Sequence, residues 1–142
     1  MERLQKYVIE KGLEETIELR RNILFEEMDE LYLENDVLLL TSTYESAGMV
    51  IPEAMEKGLC VVTSIYCGLG SYLEEYQCGY TFNLDDTSSM EEIMVRLITN
   101  REEIKEMGQK SSKVIQEHLL FEDYLEKLND LTEKEFGYTI FE

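Results

Sequence analysis

Two glutamates flank the chain's one proline in the stretch TYESAGMVIPEAMEKG, residues 43–58. If the segment between Glu45 and Glu53 were helical, it would turn through about 800°, which leaves an offset near 80°. Both carboxylates could then face one cleft. Carboxylate oxygens accept hydrogen bonds, so such a pair suits a hydroxyl-rich ligand. The simpler alternative is a helix N-terminus with a surface carboxylate on each side, because charged residues usually remain in solvent.

The turn between the two glutamates offers backbone donors. A predicted strand precedes it, and a helix is predicted from about residue 49 to 57, with Pro52 in its first turn, where proline is tolerated. Ligands of open parallel sheets bind beyond the carboxyl ends of the strands. The amides of Gly48, Met49 and Val50 would point out of the helix start, at the positive end of its dipole. We therefore expect a pyrophosphate seat there.

The elements that must position these residues alternate between helices and strands. Helices are predicted for MERLQKYVIEKG, FEEMDELYLEN, 49–57, SYLEEYQ, DDTSSMEEIMVRLITN, REEIKEMGQKSSKVIQEHL and FEDYLEKLNDLTEKEF. Strands are predicted for ETIELRR, NDVLLLTS, LCVVTS and GYTFNL, and the continuous apolar run of NDVLLLTS is typical of a strand covered on both faces. The alternation predicts an α/β fold with a Rossmann-like parallel sheet flanked by helices. We expect one domain over 1–142, in which 121–142 form the C-terminal helix and tail.

The composition excludes several classes of partner. The chain has 13 basic and 31 acidic residues and a net charge of -18, a field that repels nucleic acid and anionic lipid. The cysteines, Cys60, Cys67 and Cys78, are odd in number and lack metal-ligand spacing, which favours reduced thiols and no metal site. The charged N-terminus does not resemble a secretory leader, and no apolar run approaches the roughly 20 residues of a membrane span. These observations predict a cytoplasmic protein.

Three other features have simple interpretations. CGLGSYL partly matches G-x-G-x-x-G through Gly68 and Gly70, but Leu73 occupies the third glycine position, so a plain strand-to-helix loop is favoured over a dinucleotide site. His118 is expected to cap a helix or lie at the surface. Four tyrosines are expected to cover the edge of the core rather than stack on a ligand: Tyr66, Tyr72, Tyr76 and Tyr80.

The spacing E-x7-E from Glu45 to Glu53, followed by Ala54 and Gly58, resembles the donor-site motif of retaining glycosyltransferases with the GT-B fold, of glycosyl transferases group 1, family 4. The resemblance runs from about Leu13 to Leu131, through DVLLLTS, GLCVVTS, CGLGSYLEEYQCGYTF and DDTSSMEEIMVRLI. Within that family, the ESAG turn and the loop 67–79 are most similar to lipopolysaccharide-core and capsular polysaccharide glucosyltransferases. The chain would thus be part of the C-terminal domain of a GT-B fold.

The resemblance implies transfer of a hexose from a nucleotide diphosphate sugar to a saccharide or lipid-linked acceptor, with retention and without a metal or other cofactor. A UDP-sugar is the expected donor. Glu45 would be the catalytic-site residue that contacts the donor sugar, and Glu53 would hydrogen-bond the ribose. Four residues would complete donor binding at the diphosphate and sugar: Ser46, Gly48, Met49 and Val50. Ser46 and Ala47 replace the commoner Gly-Phe of the family, which leaves the sugar open.

The resemblance also implies segments that this sequence does not show. Enzymes of the family have an acceptor-binding N-terminal domain and an early Arg and Lys pair that neutralises the diphosphate, and Lys57 lies at the wrong end of its helix to replace them. We therefore expect negligible turnover from the chain alone. The missing half would come from a longer protein or a complementary chain, would bind the acceptor, and would carry any peripheral attachment to the inner face of the membrane.

Two alternatives to catalysis stay open at this point. The chain would be a non-catalytic nucleotide-sugar binding module, or a remnant of the fold that binds a protein partner. The last predicted helix can cross to a second domain in relatives, so its apolar stripe would be available here for a homo-oligomer or a complementary chain.

Overall fold

The computed structural model describes residues 1–140, and the side chains of all of these except Phe121 and Asp123. The chain divides into two compact units, Met1–Leu31 and Tyr32–Glu142. The single domain over 1–142 stays a prediction. The described helix of the C-terminal segment is α7, Phe121–Phe136, whereas residues 141 and 142 of the predicted tail lie outside the described residues.

The first unit holds helix α1, Glu2–Glu10, and most of α2, Phe25–Leu33. Both helices confirm predictions. The predicted strand ETIELRR is wrong, because residues 15–21 form turn and irregular structure. The carbonyl of Leu13 accepts hydrogen bonds from the amides of Thr16 and Ile17, at 3.0 and 2.9 Å, so the backbone bonds locally. Ile17 is 40% exposed, and the apolar alternation of this segment therefore has no sheet to cover.

The second unit is built on a parallel sheet in the order β1-β2-β3. Its strands are β1 Val37–Leu40, β2 Cys60–Ser64 and β3 Gly79–Phe82, and its further helices are α3 Val50–Glu56, α4 Gly70–Glu75, α5 Thr87–Thr99, α6 Arg101–His118 and α7 Phe121–Phe136. This architecture confirms the α/β fold with a Rossmann-like parallel sheet flanked by helices. The described residues contain three strands, one fewer than predicted, because ETIELRR is not a strand.

Strands β1 and β2 differ in burial because they occupy different positions in the sheet. Every residue of β2 is buried, because β2 lies between two hydrogen-bonded neighbours and is covered on both faces. β1 has a hydrogen-bonded neighbour on one side, and its Leu39 is 38% exposed. The expectation that NDVLLLTS forms a strand covered on both faces is therefore wrong for β1. Burial of the sheet increases towards β2, where the hydrophobic core lies.

Helix ends follow their sequence signals. Asp86 caps α5 by accepting a hydrogen bond from the amide of Ser88 at 3.1 Å. Asn100 caps α6 in the same way, through the amide of Glu103 at 3.4 Å. Pro52 lies in the first turn of α3, and Gly58, with φ 81°, follows its end. None of the described helices combines the length and the apolar character that a membrane crossing requires.

A polar group joins β3, α5 and α6 at the edge of the core. The Tyr80 hydroxyl donates to Glu103, and Arg96 Nη2 lies 2.7 Å from Glu103 Oε1. Burial, and then the hydrogen bond to Glu103, raises the pKa of Tyr80 to about 12. Hydrogen bonds from Arg96 and Tyr80 hold the pKa of Glu103 below its ordinary value. Tyr80 packs against the core cluster, as expected for a tyrosine at the core edge.

Candidate functional site

The quoted stretch lies at the carboxyl edge of the sheet, beyond the end of β1. Its turn is tied to the loop that follows β2 through the backbone of Glu45. The Glu45 amide donates to the carbonyl of Tyr66 at 3.2 Å, and the amide of Gly68 donates to the carbonyl of Glu45 at 3.0 Å. Glu45 and Cys67 form a parallel bridge, so strand-like pairing resumes beyond the sheet. The first glutamate is therefore held on a fixed backbone at the ligand-binding edge of an α/β fold.

Gly68 explains why the loop after β2 contains a glycine. A Cβ atom at position 68 would lie 1.9 Å from the carbonyl oxygen of Ser46, so only glycine allows the two backbones to approach. Gly70 begins α4, where its position packs against Thr81. Packing against the Glu45 turn thus accounts for Gly68, and packing against Thr81 of β3 accounts for Gly70. Neither the periodicity nor the spacing of the sequence signalled this contact.

The carboxylate of Glu45 turns back towards its own turn. Its Oε1 accepts a hydrogen bond from the amide of Gly48 at 3.2 Å. Gly48 is buried and has φ 63°, a conformation that disfavours other residues, and a Cβ there would lie 3.0 Å from Glu45 Cγ. The structure differs here from the expectation that the Gly48 amide points towards a ligand. In this turn Glu45 takes that amide, because its side chain reaches the backbone three residues later.

The start of α3 leaves two amides ahead of the helical hydrogen bonds. The Ile51 amide donates to the carbonyl of Gly48 at 2.7 Å, and the Glu53 amide donates to the carbonyl of Met49 at 3.3 Å. In an α-helix the first amides have no intrahelical acceptor, which places those of Met49 and Val50 ahead of the bonded part of α3. Met49 is 66% exposed. These amides are where the sequence predicted a diphosphate seat.

Glu53 is half-buried in the first turn of α3, and a residue from α2 orients it. The hydroxyl of Tyr32 donates to Glu53 Oε2 at 2.9 Å. Tyr32 is only 5% exposed, so this hydrogen bond is made largely out of contact with solvent. This role of Tyr32 was not predicted from the sequence. The signal was a polar atom on an otherwise apolar face, which must find an acceptor.

The structure thus brings together some predicted site residues and leaves others to be tested. Glu45 contacts Gly48, Ser46 contacts the loop at Gly68, and Met49 and Val50 begin the helix that carries Glu53. Ser46 is exposed. The convergence of the two carboxylates on one ligand stays a prediction.

His118 and Cys60, which the sequence raised as possible functional residues, pack against other parts of the protein. His118 is exposed at the end of α6 and stacks on Tyr76, with ring centroids 4.7 Å apart. Cys60 is fully buried, and this burial raises the pKa of its thiol to about 12. Within the described part of the chain, no group of three or more His, Cys, Asp or Glu side chains is placed to hold a metal ion.

The sequence matches a protein-family model, which identifies the class of protein to which the chain belongs. The model of glycosyl transferases group 1 matches residues 1–114. The chain therefore belongs to the glycosyl transferases group 1 family, which confirms the resemblance seen in the sequence.

Two curated relatives share part of the chain. It is 34% identical over 73 residues to lipopolysaccharide glucosyltransferase WaaG of Escherichia coli K12, a match that covers 49% of this chain and 20% of the relative. It is 27% identical over 88 residues to N-acetyl-alpha-D-glucosaminyl L-malate synthase of Bacillus anthracis, a match that covers 62% of this chain and 23% of the relative. The matched part thus spans about a fifth of the length of these relatives.

Three solved structures share the fold. Sucrose-phosphate synthase from Thermosynechococcus elongatus superposes with a TM-score of 0.80 at 21% identity, over 96% of this chain and 34% of that one. The structure of WaaG superposes with a TM-score of 0.71 at 23% sequence identity, over 83% of this chain and 32% of that one. The third structure is the C-terminal domain of the glycosyl transferase group 1 family protein LpcC from Francisella tularensis. It superposes with a TM-score of 0.75 at 16% sequence identity, over 84% of this chain and 62% of that one. At these identities the likeness establishes the GT-B type of fold.

Proposed function

We propose that the chain is the donor-binding part of a retaining hexosyltransferase. It would bind a nucleotide diphosphate sugar, with UDP as the nucleotide, and donate the hexose to a saccharide or lipid-linked acceptor. Membership of the glycosyl transferases group 1 family supports the class of reaction. The name of one relative, a lipopolysaccharide glucosyltransferase, supports an acceptor of the bacterial surface-polysaccharide type. Reduced, buried cysteines are consistent with a reaction in the cytoplasm.

The observation that carries the proposal is the way the two carboxylates are oriented. Glu45 uses Oε1 for the amide of Gly48, and Glu53 uses Oε2 for the hydroxyl of Tyr32. One oxygen of each carboxylate is thereby fixed by the protein, and the other is the natural acceptor for a ligand hydroxyl. We assign Glu45 to hydroxyls of the transferred sugar and Glu53 to the ribose. Orientation before binding reduces the entropy cost of recognising a flexible nucleotide sugar.

The start of α3 is assigned to the diphosphate. In the transfer, the bond between the anomeric carbon and the diphosphate oxygen breaks, and negative charge develops on the leaving nucleotide. The amides of Met49 and Val50, at the positive end of a short helix, are suited to that charge, with the Ser46 hydroxyl at the exposed side. Cationic assistance would come from the complementary half of the enzyme, because Lys57 lies at the opposite end of α3.

Isothermal titration calorimetry with UDP-glucose tests this assignment on the wild-type chain and on Glu45→Gln and Glu53→Gln. Loss of a hydrogen bond to a charged group is worth about 1.5–3 kcal/mol, so we expect each variant to bind about tenfold more weakly, or worse. Glu56→Gln is the matched control, because Glu56 lies on the same helix with a side chain that is 65% exposed. It should bind within about twofold of the wild type. Undetectable heats for every variant and for the wild type would instead support a remnant without donor binding.

A further inference from the structure

A cavity lies at the edge of the sheet opposite the Glu45 turn, at the amino ends of β1 and β2. Its volume is about 540 Å³. Asp36 precedes β1, Gly58 precedes β2, and α6 forms the remaining wall. A Cβ at Gly108 of α6 would lie 2.0 Å from the Gly58 carbonyl oxygen, so the wall and the turn meet backbone to backbone. This amino-edge cavity is therefore a built feature of the fold, separate from the turn that carries Glu45.

The residues that line the amino-edge cavity include more cations than carboxylates. Its lining includes three cations, Lys57, Arg101 and Lys105, and one carboxylate, Asp36. The chain as a whole has a net charge of -18, which repels anions at long range. The three positive side chains around this cavity therefore attract an anion only at short range, within the negative field of the whole chain.

Each of the three cations lies beside a carboxylate. Arg101 directs Nη1 to Asp36 Oδ2 at 3.1 Å, which orients a guanidinium that has five N–H donors in all. The ammonium of Lys57 lies 3.9 Å from Glu56, and that of Lys105 lies 3.9 Å from Glu102. The pair of Lys105 and Glu102 is exposed and contributes little, so this ammonium can exchange its neighbour for a ligand at small cost.

We propose that the amino-edge cavity binds a small phosphorylated anion with two or more negative charges. An arginine fork and two ammonium groups match phosphate oxygens, and the cavity volume lies in the range of small-molecule sites. Asn35, Gln109 and Ser112 complete the lining and suit hydroxyls next to the phosphate. The site does not depend on the proposed donor site, because the two lie at opposite edges of the sheet.

The test follows backbone amide resonances of the full 142-residue chain during titration with inorganic pyrophosphate at about 50 mM salt. We expect saturable shifts at Gly58 and Gly108. The variant Lys105→Ala should bind about tenfold more weakly, and about 300 mM salt should weaken wild-type binding as well. Lys113→Ala is the matched control: it removes the same charge from α6, also at an exposed ion-paired lysine, but outside the cavity. It should bind as the wild type does.

Two outcomes would overturn the proposal. One is the absence of saturable shifts at Gly58 and Gly108, even if pyrophosphate shifts Met49 and Val50. The other is an equal loss of affinity in the Lys113→Ala control, which would mean that total charge and not the cavity governs binding. Shifts at Met49 and Val50 report on the donor site, so failure of one site is distinguishable from failure of the other.

Discussion

Glu53 shows how a single side chain of this site is prepared before any ligand arrives. The buried phenol of Tyr32 donates to its carboxylate at 2.9 Å from a helix that ends before the sheet begins. A buried hydroxyl that loses its acceptor costs about 1–3 kcal/mol. The bond therefore stabilises the fold and orients Glu53 at the same time.

Tyr32→Phe separates those two roles, because it keeps the ring and removes the donor. We expect a loss of stability of about 1 kcal/mol and a several-fold weaker affinity for UDP-glucose, since Glu53 would no longer be held. Thermal unfolding and calorimetry measure the two effects. Tyr138→Phe, at a tyrosine that is 59% exposed, is the control and should change neither. Unchanged binding by Tyr32→Phe would show that the orientation of Glu53 is unimportant.

At the scale of elements, the loop after β2 holds the Glu45 turn in place. We predict that Gly68→Ala destabilises the chain by about 1–3 kcal/mol, because its methyl group would overlap the carbonyl of Ser46, 1.9 Å away. The displaced turn should also lose affinity for UDP-glucose. Gly70→Ala provides the comparison, since its methyl would lie 3.1 Å from a side-chain atom, Thr81 Cγ2, which can shift. Equal effects of the two variants in chemical denaturation would contradict this account of the loop.

The group that joins β3, α5 and α6 gives the fold a pH dependence with a defined sign. Hydrogen bonds from Arg96 and Tyr80 lower the pKa of Glu103 from its ordinary value of 4.5. Its contribution to stability is therefore present above pH 4.5 and is lost as the pH falls through the lowered value.

Glu103→Gln tests that contribution. We expect it to lower the free energy of unfolding by about 1–2 kcal/mol at neutral pH, because the charged acceptor is lost. The difference from the wild type should shrink in acid, where the wild-type carboxylate is itself protonated. Denaturant titrations over a range of pH measure this. Glu106→Gln, exposed on the same helix, should differ little from the wild type at any pH.

The elements were largely predictable, and the exceptions have physical causes. Each described helix and three of the four expected strands follow from apolar periodicity and capping residues. ETIELRR failed because alternation over a few residues cannot distinguish a strand from a turn when no neighbour pairs with it. The Glu45 turn was predictable from its residues. Three contacts of the site were not predictable, because each depends on where the chain folds in three dimensions. They are the hydrogen bond from the Gly48 amide to Glu45, the hydrogen bond from Tyr32 to Glu53, and the close approach of Gly68 to Ser46.

At the scale of the whole molecule, the match to the glycosyl transferases group 1 family covers residues 1–114. The matched part spans about a fifth of its curated relatives. Of the cations near the sheet, Lys57, Arg101 and Lys105 lie at the amino edge, away from the Glu45 turn. A leaving diphosphate at that turn needs positive partners for full stabilisation of the transition state.

We therefore predict that the purified chain transfers glucose from UDP-glucose far more slowly than about 1 s⁻¹, an ordinary enzymatic rate. Adding the acceptor-binding half of a family member should raise the rate if the two halves associate. A radiolabelled transfer assay measures both conditions, with Glu45→Gln as the control for background hydrolysis. Turnover at about 1 s⁻¹ or faster by the chain alone would contradict the need for a second half.

The central claim is that the turn after β1 and the start of α3 form the seat of a nucleotide diphosphate sugar. The most direct measurement is the amide spectrum of the isotope-labelled chain during titration with UDP-glucose. The account predicts that the largest saturable shifts fall on Ser46, Met49 and Val50, and that Glu53→Gln needs about tenfold more ligand to reach the same shifts. Shifts confined to other parts of the chain, or none at all, would contradict it.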